Sequence, residues 1–105
     1  MPAAKGLAAG QLPSSKGALY TASSYTEITF FPVVNGNTTA EAVTIYVKRD
    51  GGSSRMIWTS PTLAVGASSN VVEAGSVLIL NPLDVVEGFA TTAAKVDYDI
   101  SGRLS

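Results

Sequence analysis

The stretch Val43-Thr44-Ile45-Tyr46-Val47-Lys48 alternates apolar and polar side chains without a fault, and that period restricts the fold more than any other feature. Successive side chains of a strand leave opposite faces, so Val43, Ile45 and Val47 point one way and Thr44, Tyr46 and Lys48 the other. The same period returns near the end of the chain. There Val96, Tyr98, Ile100 and Leu104 share one face, and Lys95, Asp97, Asp99 and Arg103 share the opposite one. Nowhere does an i, i+3, i+4 apolar stripe run for helical length free of breakers. A chain patterned in this way buries its apolar faces as sheet against sheet.

Turn chemistry cuts the pattern into short pieces. Asn35-Gly36-Asn37, Asp50-Gly51-Gly52, Val65-Gly66-Ala67 and Asn81-Pro82 are breaks, and the Asp-Gly-Gly step suits a hairpin that needs positive φ. From Tyr25 to Val34 both faces are apolar, with Ile28, Phe30 and Val34 on one and Thr29, Phe31 and Val33 on the other. That strand is expected to be buried twice or to lie at an interface, with an edge or bulge at Pro32. Arg55 to Thr59 reads as a strand closed by Pro61, with Met56 and Trp58 opposite Ile57. Glu73-Ala74-Gly75 is a bulge or a turn, and Gly88, inside Leu83 to Ala90, marks a bulge or a close backbone approach. The expected architecture is all-β: a single jelly-roll-like β-sandwich of about seven or eight short antiparallel strands. Residues 1–17, rich in Ala, Gly, Ser and Pro with only Leu7 and Leu12 as anchors, are expected as an extended N-terminal arm. Residues 18–105 would form the sandwich domain. Such an arm orders only against something else, or else is a loose terminus.

Chemistry is scarce. The 105 residues include no His and no Cys, which removes the usual general base, the thiol nucleophile, disulfides and thiolate metal sites. Ser15-Lys16 is a formal Ser-Lys pair, but neighbours on an extended chain point apart. Asp97 and Asp99 fall on one strand face at roughly 6–7 Å from the strand rise, beside Lys95 and Arg103, and read as a solvated charged row. A calcium site from Asp84, Glu87, Asp97 and Asp99 would need carbonyl ligands and convergence that the pattern does not supply. The expectation is therefore no enzyme, no catalytic residue, no bound metal and no cofactor. Lys48, Arg49 and Arg55 flank one turn, too few for polyanion binding. The net charge of −1 argues against nucleic acid, and no apolar run is long enough for a membrane span or a signal-peptide core. Trp58, Tyr46, Tyr20 and Tyr25 could stack a sugar or a base, although sheet packing or an oligomer contact is the commoner fate. Only 14% of residues are charged, against about a quarter in an average domain, which favours a packed assembly over a free monomer.

Gly10-Gln11-Leu12-Pro13 followed by Gly17-Ala18-Leu19-Tyr20-Thr21 is similar to the opening segment of small virion proteins of tailed bacteriophages. Ala42-Val43-Thr44-Ile45-Tyr46-Val47-Lys48-Arg49 resembles a middle strand, with Gly51-Gly52-Ser53-Ser54-Arg55 as the hairpin after it. Val85-Val86-Glu87-Gly88-Phe89-Ala90-Thr91-Thr92 and Val96-Asp97-Tyr98-Asp99-Ile100-Ser101-Gly102 resemble the closing strands. The likeness spans nearly the whole chain and is weakest from Thr59 to Leu80. It implies a jelly-roll-like capsid cement or decoration protein, made in the host cytoplasm and resident in the virion. Such a protein is a homo-oligomer, a trimer in the usual case, bound to the major capsid protein. The alternative it leaves is a tail, collar or fibre module that touches a host glycan or other virion proteins.

Overall fold

A computed structural model describes residues Lys5 to Leu104. Ten strands follow in order: β1 (Lys5–Gln11), β2 (Gly17–Thr21), β3 (Thr26–Phe30), β4 (Pro32–Asn35), β5 (Glu41–Lys48), β6 (Ser54–Leu63), β7 (Ser68–Asn70), β8 (Leu78–Leu80), β9 (Val85–Ala90) and β10 (Val96–Leu104). All pairings are antiparallel. In the first sheet β10 carries β1 along one edge, and along the other it carries β4 at Val96–Tyr98 and β3 at Ser101–Leu104. β8 then borders β3, and β7 borders β4. The second sheet runs β2-β9-β5-β6.

β3 and β4 are two halves of one strand path broken at Phe31, and β7 and β8 are their two outer neighbours. Taken by lanes, each sheet is four wide, with the chain passing back and forth between them. The order β1, β10, β3/β4, β7/β8 against β2, β9, β5, β6 is a jelly roll. The expected seven or eight strands become ten because the Phe30-Phe31-Pro32 step and the Val71–Val77 segment each split a lane in two.

The inner faces of the two sheets meet in one core that includes Leu12, Ile28, Phe31, Val33, Val43, Ile45, Leu80, Val86, Val96 and Ile100, all without solvent contact. β5 alternates buried and half-buried residues along its whole length, as its sequence requires. Three expectations change. At β3–β4 the register against β10 shifts between Ile28 and Phe30, so the buried face passes from Thr26 and Ile28 to Phe31, Val33 and Asn35. Phe30 and Val34 therefore do not share a face with Ile28; they are exposed on the outer side. In β6, Ile57 is an extra residue between Trp58, which faces Ile45, and Met56, which faces Tyr46. The bulge puts Trp58 inward and Met56 outward, where simple alternation placed them together.

The third change concerns residues 1–17, of which the first four lie outside the described residues. The segment is extended, but it lies in its own chain's sheet: Lys5 to Gln11 pair with β10 from Gly102 to Asp97. Leu12 then turns into the core, with its N–H donating to the Val96 carbonyl at 2.8 Å. Paired backbone groups and one buried leucine hold a stretch whose own side chains bury too little apolar surface to order it alone.

Close backbone approach fixes two glycines. A Cβ on Gly102 would overlap the Glu27 carbonyl oxygen, and one on Gly88 would stand 3.1 Å from the Thr44 carbonyl oxygen as well as against the Ile45 side chain. Gly88 thus marks the close approach that its place inside a strand suggested.

Candidate functional site

The strand registers put the β2–β3, β5–β6 and β8–β9 loops at one end of the sandwich. The β1–β2, β4–β5, β6–β7 and β9–β10 loops lie at the other. Each end is tied by one buried carboxylate. At the first, Asp84 is 2% exposed and accepts from Arg49 Nη1 at 2.7 Å, the Asp50 N–H at 2.9 Å and the Asn81 N–H at 2.9 Å. Arg49 Nη1 also donates to the Ile79 carbonyl at 2.7 Å. At the other end Glu41, also 2% exposed, accepts from the Thr92 N–H at 2.8 Å, the Thr92 hydroxyl at 2.9 Å and Asn37 Nδ2 at 3.0 Å. Nearby Asn35 donates to the Thr39 and Leu63 carbonyls, both at 2.9 Å.

Burial pushes both carboxyls up, and their donors more than offset it. For Glu41 these are Asn37 and Thr92 with the Lys95 charge, and for Asp84 they are Arg49 and the Asp50 and Asn81 N–H groups. Both groups therefore sit below the ordinary carboxylate range and stay ionised. Among the described residues every buried side-chain nitrogen and oxygen has a partner. Each carboxylate accepts three fixed donors from its neighbouring loops and so acts as a fastener that ties them to the sandwich.

The four carboxylates weighed as a calcium site do not converge. Asp84 is held at one end, and Glu87 lies on β9, where it accepts from the Ser54 hydroxyl. Asp97 and Asp99 are exposed on β10 in the other sheet. No group of three or more candidate metal ligands forms among the described residues. Nor do Lys48, Arg49 and Arg55 form a basic spot, because Arg49 turns to Asp84. Sequence reasoning missed the Glu41 and Asp84 clamps. A lone carboxylate after Asn-Gly-Asn or Asn-Pro is a faint signal, since nothing local shows which distant N–H groups will reach it.

Several large apolar side chains stay uncovered. Beside β6 a groove opens between the sheets, lined by Ile57, Trp58, Val71, Val72, Glu73, Ser76, Val77 and Leu78. Ile57 and Val77 on its rim and Met56 next to it are largely exposed. On the outer face of the second sheet Tyr46 and Phe89 stack with ring centres 6.3 Å apart and planes at 18°, and Lys16 Nζ stands 5.0 Å from the Tyr46 ring centre. Trp58 belongs to the groove and Tyr20 packs against the core, while Tyr25 is exposed at the loop end. The four aromatics singled out in the sequence therefore form no common platform.

No protein-family model and no curated protein matches the chain. Among solved structures the chain is similar in fold to one described as "Bacillus endospore appendages form a novel family of disulfide-linked pili". The TM-score is 0.56 at 17% sequence identity, over 98% of this chain and 88% of that one.

Proposed function

We propose that this chain is a non-enzymatic structural module that works by self-association and docking, and that it serves in the head of a tailed bacteriophage as a capsid cement or decoration protein. The observation that carries the structural reading is the division of labour on the molecule. Its buried polar groups are consumed in tying loops to the sandwich, while large apolar side chains such as Met56, Ile57, Val77 and Leu83 stand in solvent. A rigid scaffold with sparse charge and uncovered apolar groups is suited to being covered. The use of a similar fold in a pilus supports a structural role. That assembly is described as disulfide-linked; this chain has no Cys, so its own contacts are non-covalent or rest on other groups.

The placement in a phage head, the trimeric stoichiometry and the major capsid protein as partner rest on the sequence resemblance. Binding the purified chain to undecorated phage heads tests them. Saturable binding at a fixed ratio to the shell subunit, with heads that withstand more heat, is the expected result. Heads that ignore the chain while tails or fibres retain it would favour the second reading. That reading draws on the Tyr46–Phe89 stack with Lys16 as a surface for a host glycan.

A further inference from the structure

The lateral side of the sandwich along β6 has properties that the opposite side lacks. β1 and β2 line that opposite side and carry none of the exposed large apolar residues. Along β6, Ile57 is 43% exposed, Val77 across the groove 48% and Met56 59%. The bulge at Ile57 is what turns this side chain out of the sheet's alternation and onto the groove rim. Bulges re-aim side chains in this way, and they also spoil an edge for ladder pairing. A second interruption of the register precedes Leu63, next to Pro61. β6 is thus a poor template for an added strand and a good carrier of side chains for packing.

Resting on the structural reading above, we propose that this lateral face packs against the same face of a second copy about a two-fold axis, side chain to side chain. Ile57 of each copy would enter the other's groove. Two features select a second copy as occupant. A two-fold contact sets an apolar strip against an identical strip, whereas a head-to-tail contact would set it against the Ala- and Gly-bearing β1–β2 side. The face is also complementary to itself in charge. Exposed Arg55 and exposed Glu73 flank the strip, and neither has an ion-pair partner among the described residues. An antiparallel two-fold contact brings the arginine of each copy toward the glutamate of the other. A slab with extents of 41 × 28 × 19 Å offers a lateral side of several hundred Å², the order of the ~800 Å² that each partner gives a standard interface. The contact is two-fold, so it yields a dimer, in place of the trimer that the sequence resemblance implies.

The experiment measures mass by light scattering, on the full chain at tens of micromolar and on four variants. The expected result is twice the chain mass of 10.8 kDa for the full chain, and a single chain mass for Ile57→Lys, which sets two ammonium groups near the axis. Arg55→Glu and Glu73→Lys should each weaken the dimer at least tenfold, and the double variant should regain most of the loss. The circular dichroism spectrum of Ile57→Lys, exposed at this position, should match the parent, and its Tm should lose only the concentration-dependent part that dimerisation gives the parent. A monomeric parent overturns the proposal, as does a dimer or trimer that survives Ile57→Lys, or charge variants whose effects simply add. Head binding is measured on the same samples. A parent that is monomeric yet binds heads overturns only the two-fold contact, and a dimer that binds no virion component overturns only the placement in the head.

Discussion

Shortening Leu12 to Ala separates a strand-and-anchor segment from a loose arm. Leu12 has no solvent contact and closes the core where β1 ends. Its N–H donates to the Val96 carbonyl at 2.8 Å and its carbonyl accepts from the Ala94 N–H at 3.1 Å, while the Pro13 carbonyl accepts from the Ala90 N–H at 2.9 Å. The backbone is therefore pinned to both sheets and cannot follow a smaller side chain inward. Under that constraint the lost transfer energy and the residual cavity add, and Leu→Ala costs about 3 kcal/mol, within the ~2–5 kcal/mol range for buried leucines. In a domain of this size each kcal/mol lowers Tm by about 4–8 °C, which gives a drop of roughly 12–24 °C. Urea unfolding followed by Trp58 fluorescence and far-ultraviolet circular dichroism measures it directly. Leu7→Ala, half-buried on β1, should cost about 1 kcal/mol. A Leu12→Ala loss under ~0.5 kcal/mol, the level of an ordinary surface change, would refute the packing of this segment. Removing Met1 to Gln11 should likewise destabilise the sandwich, because it strips the partner from one edge of β10.

Acid should find the two clamps. Glu41 and Asp84 are held below their unfolded values, so their stabilisation is complete above the ordinary carboxylate range and is lost as pH falls through the folded values. Tm should therefore be flat from about pH 7 to 5 and fall below about pH 4, with a shallower fall in Glu41→Gln. Asp84→Ala leaves the Asp50 and Asn81 N–H groups without an acceptor and should cost about 2–4 kcal/mol by thermal melting; a loss within error would show the clamp to be ornamental. Gly102→Ala drives a Cβ into the Glu27 carbonyl and should abolish the folded circular-dichroism signal or lower Tm by more than about 10 °C. EDTA and added calcium should leave Tm within about a degree, whereas a reproducible rise with calcium would revive metal binding by the carboxylates.

The period-two segments were legible because their geometry is local. β5 and β10 follow their sequences residue by residue, and Val96, Ile100 and the exposed Asp97 and Asp99 lie where alternation puts them. Phase failed where a bulge intervened, at Ile57 and between Ile28 and Phe31. An extra residue is invisible until the partner strand is known. The pairing of the N-terminal segment is not legible in its sequence for a related reason. Its order comes from β10, more than eighty residues away in sequence, and composition counts only what a segment brings by itself. The clamps share that non-local origin: Glu41 meets Thr92 and Asp84 meets Arg49 only after the sheets have formed.

As proposed above, the chain is structural and acts by being bound into a virion shell. Cryo-electron microscopy of heads from phage carrying the gene, beside heads from a deletion, tests it most directly. The expected result is a jelly-roll density repeated over the outside of the shell and missing from the deletion particles, which should rupture at lower temperature. Identical shells with and without the gene, from particles that lack the chain, would contradict it.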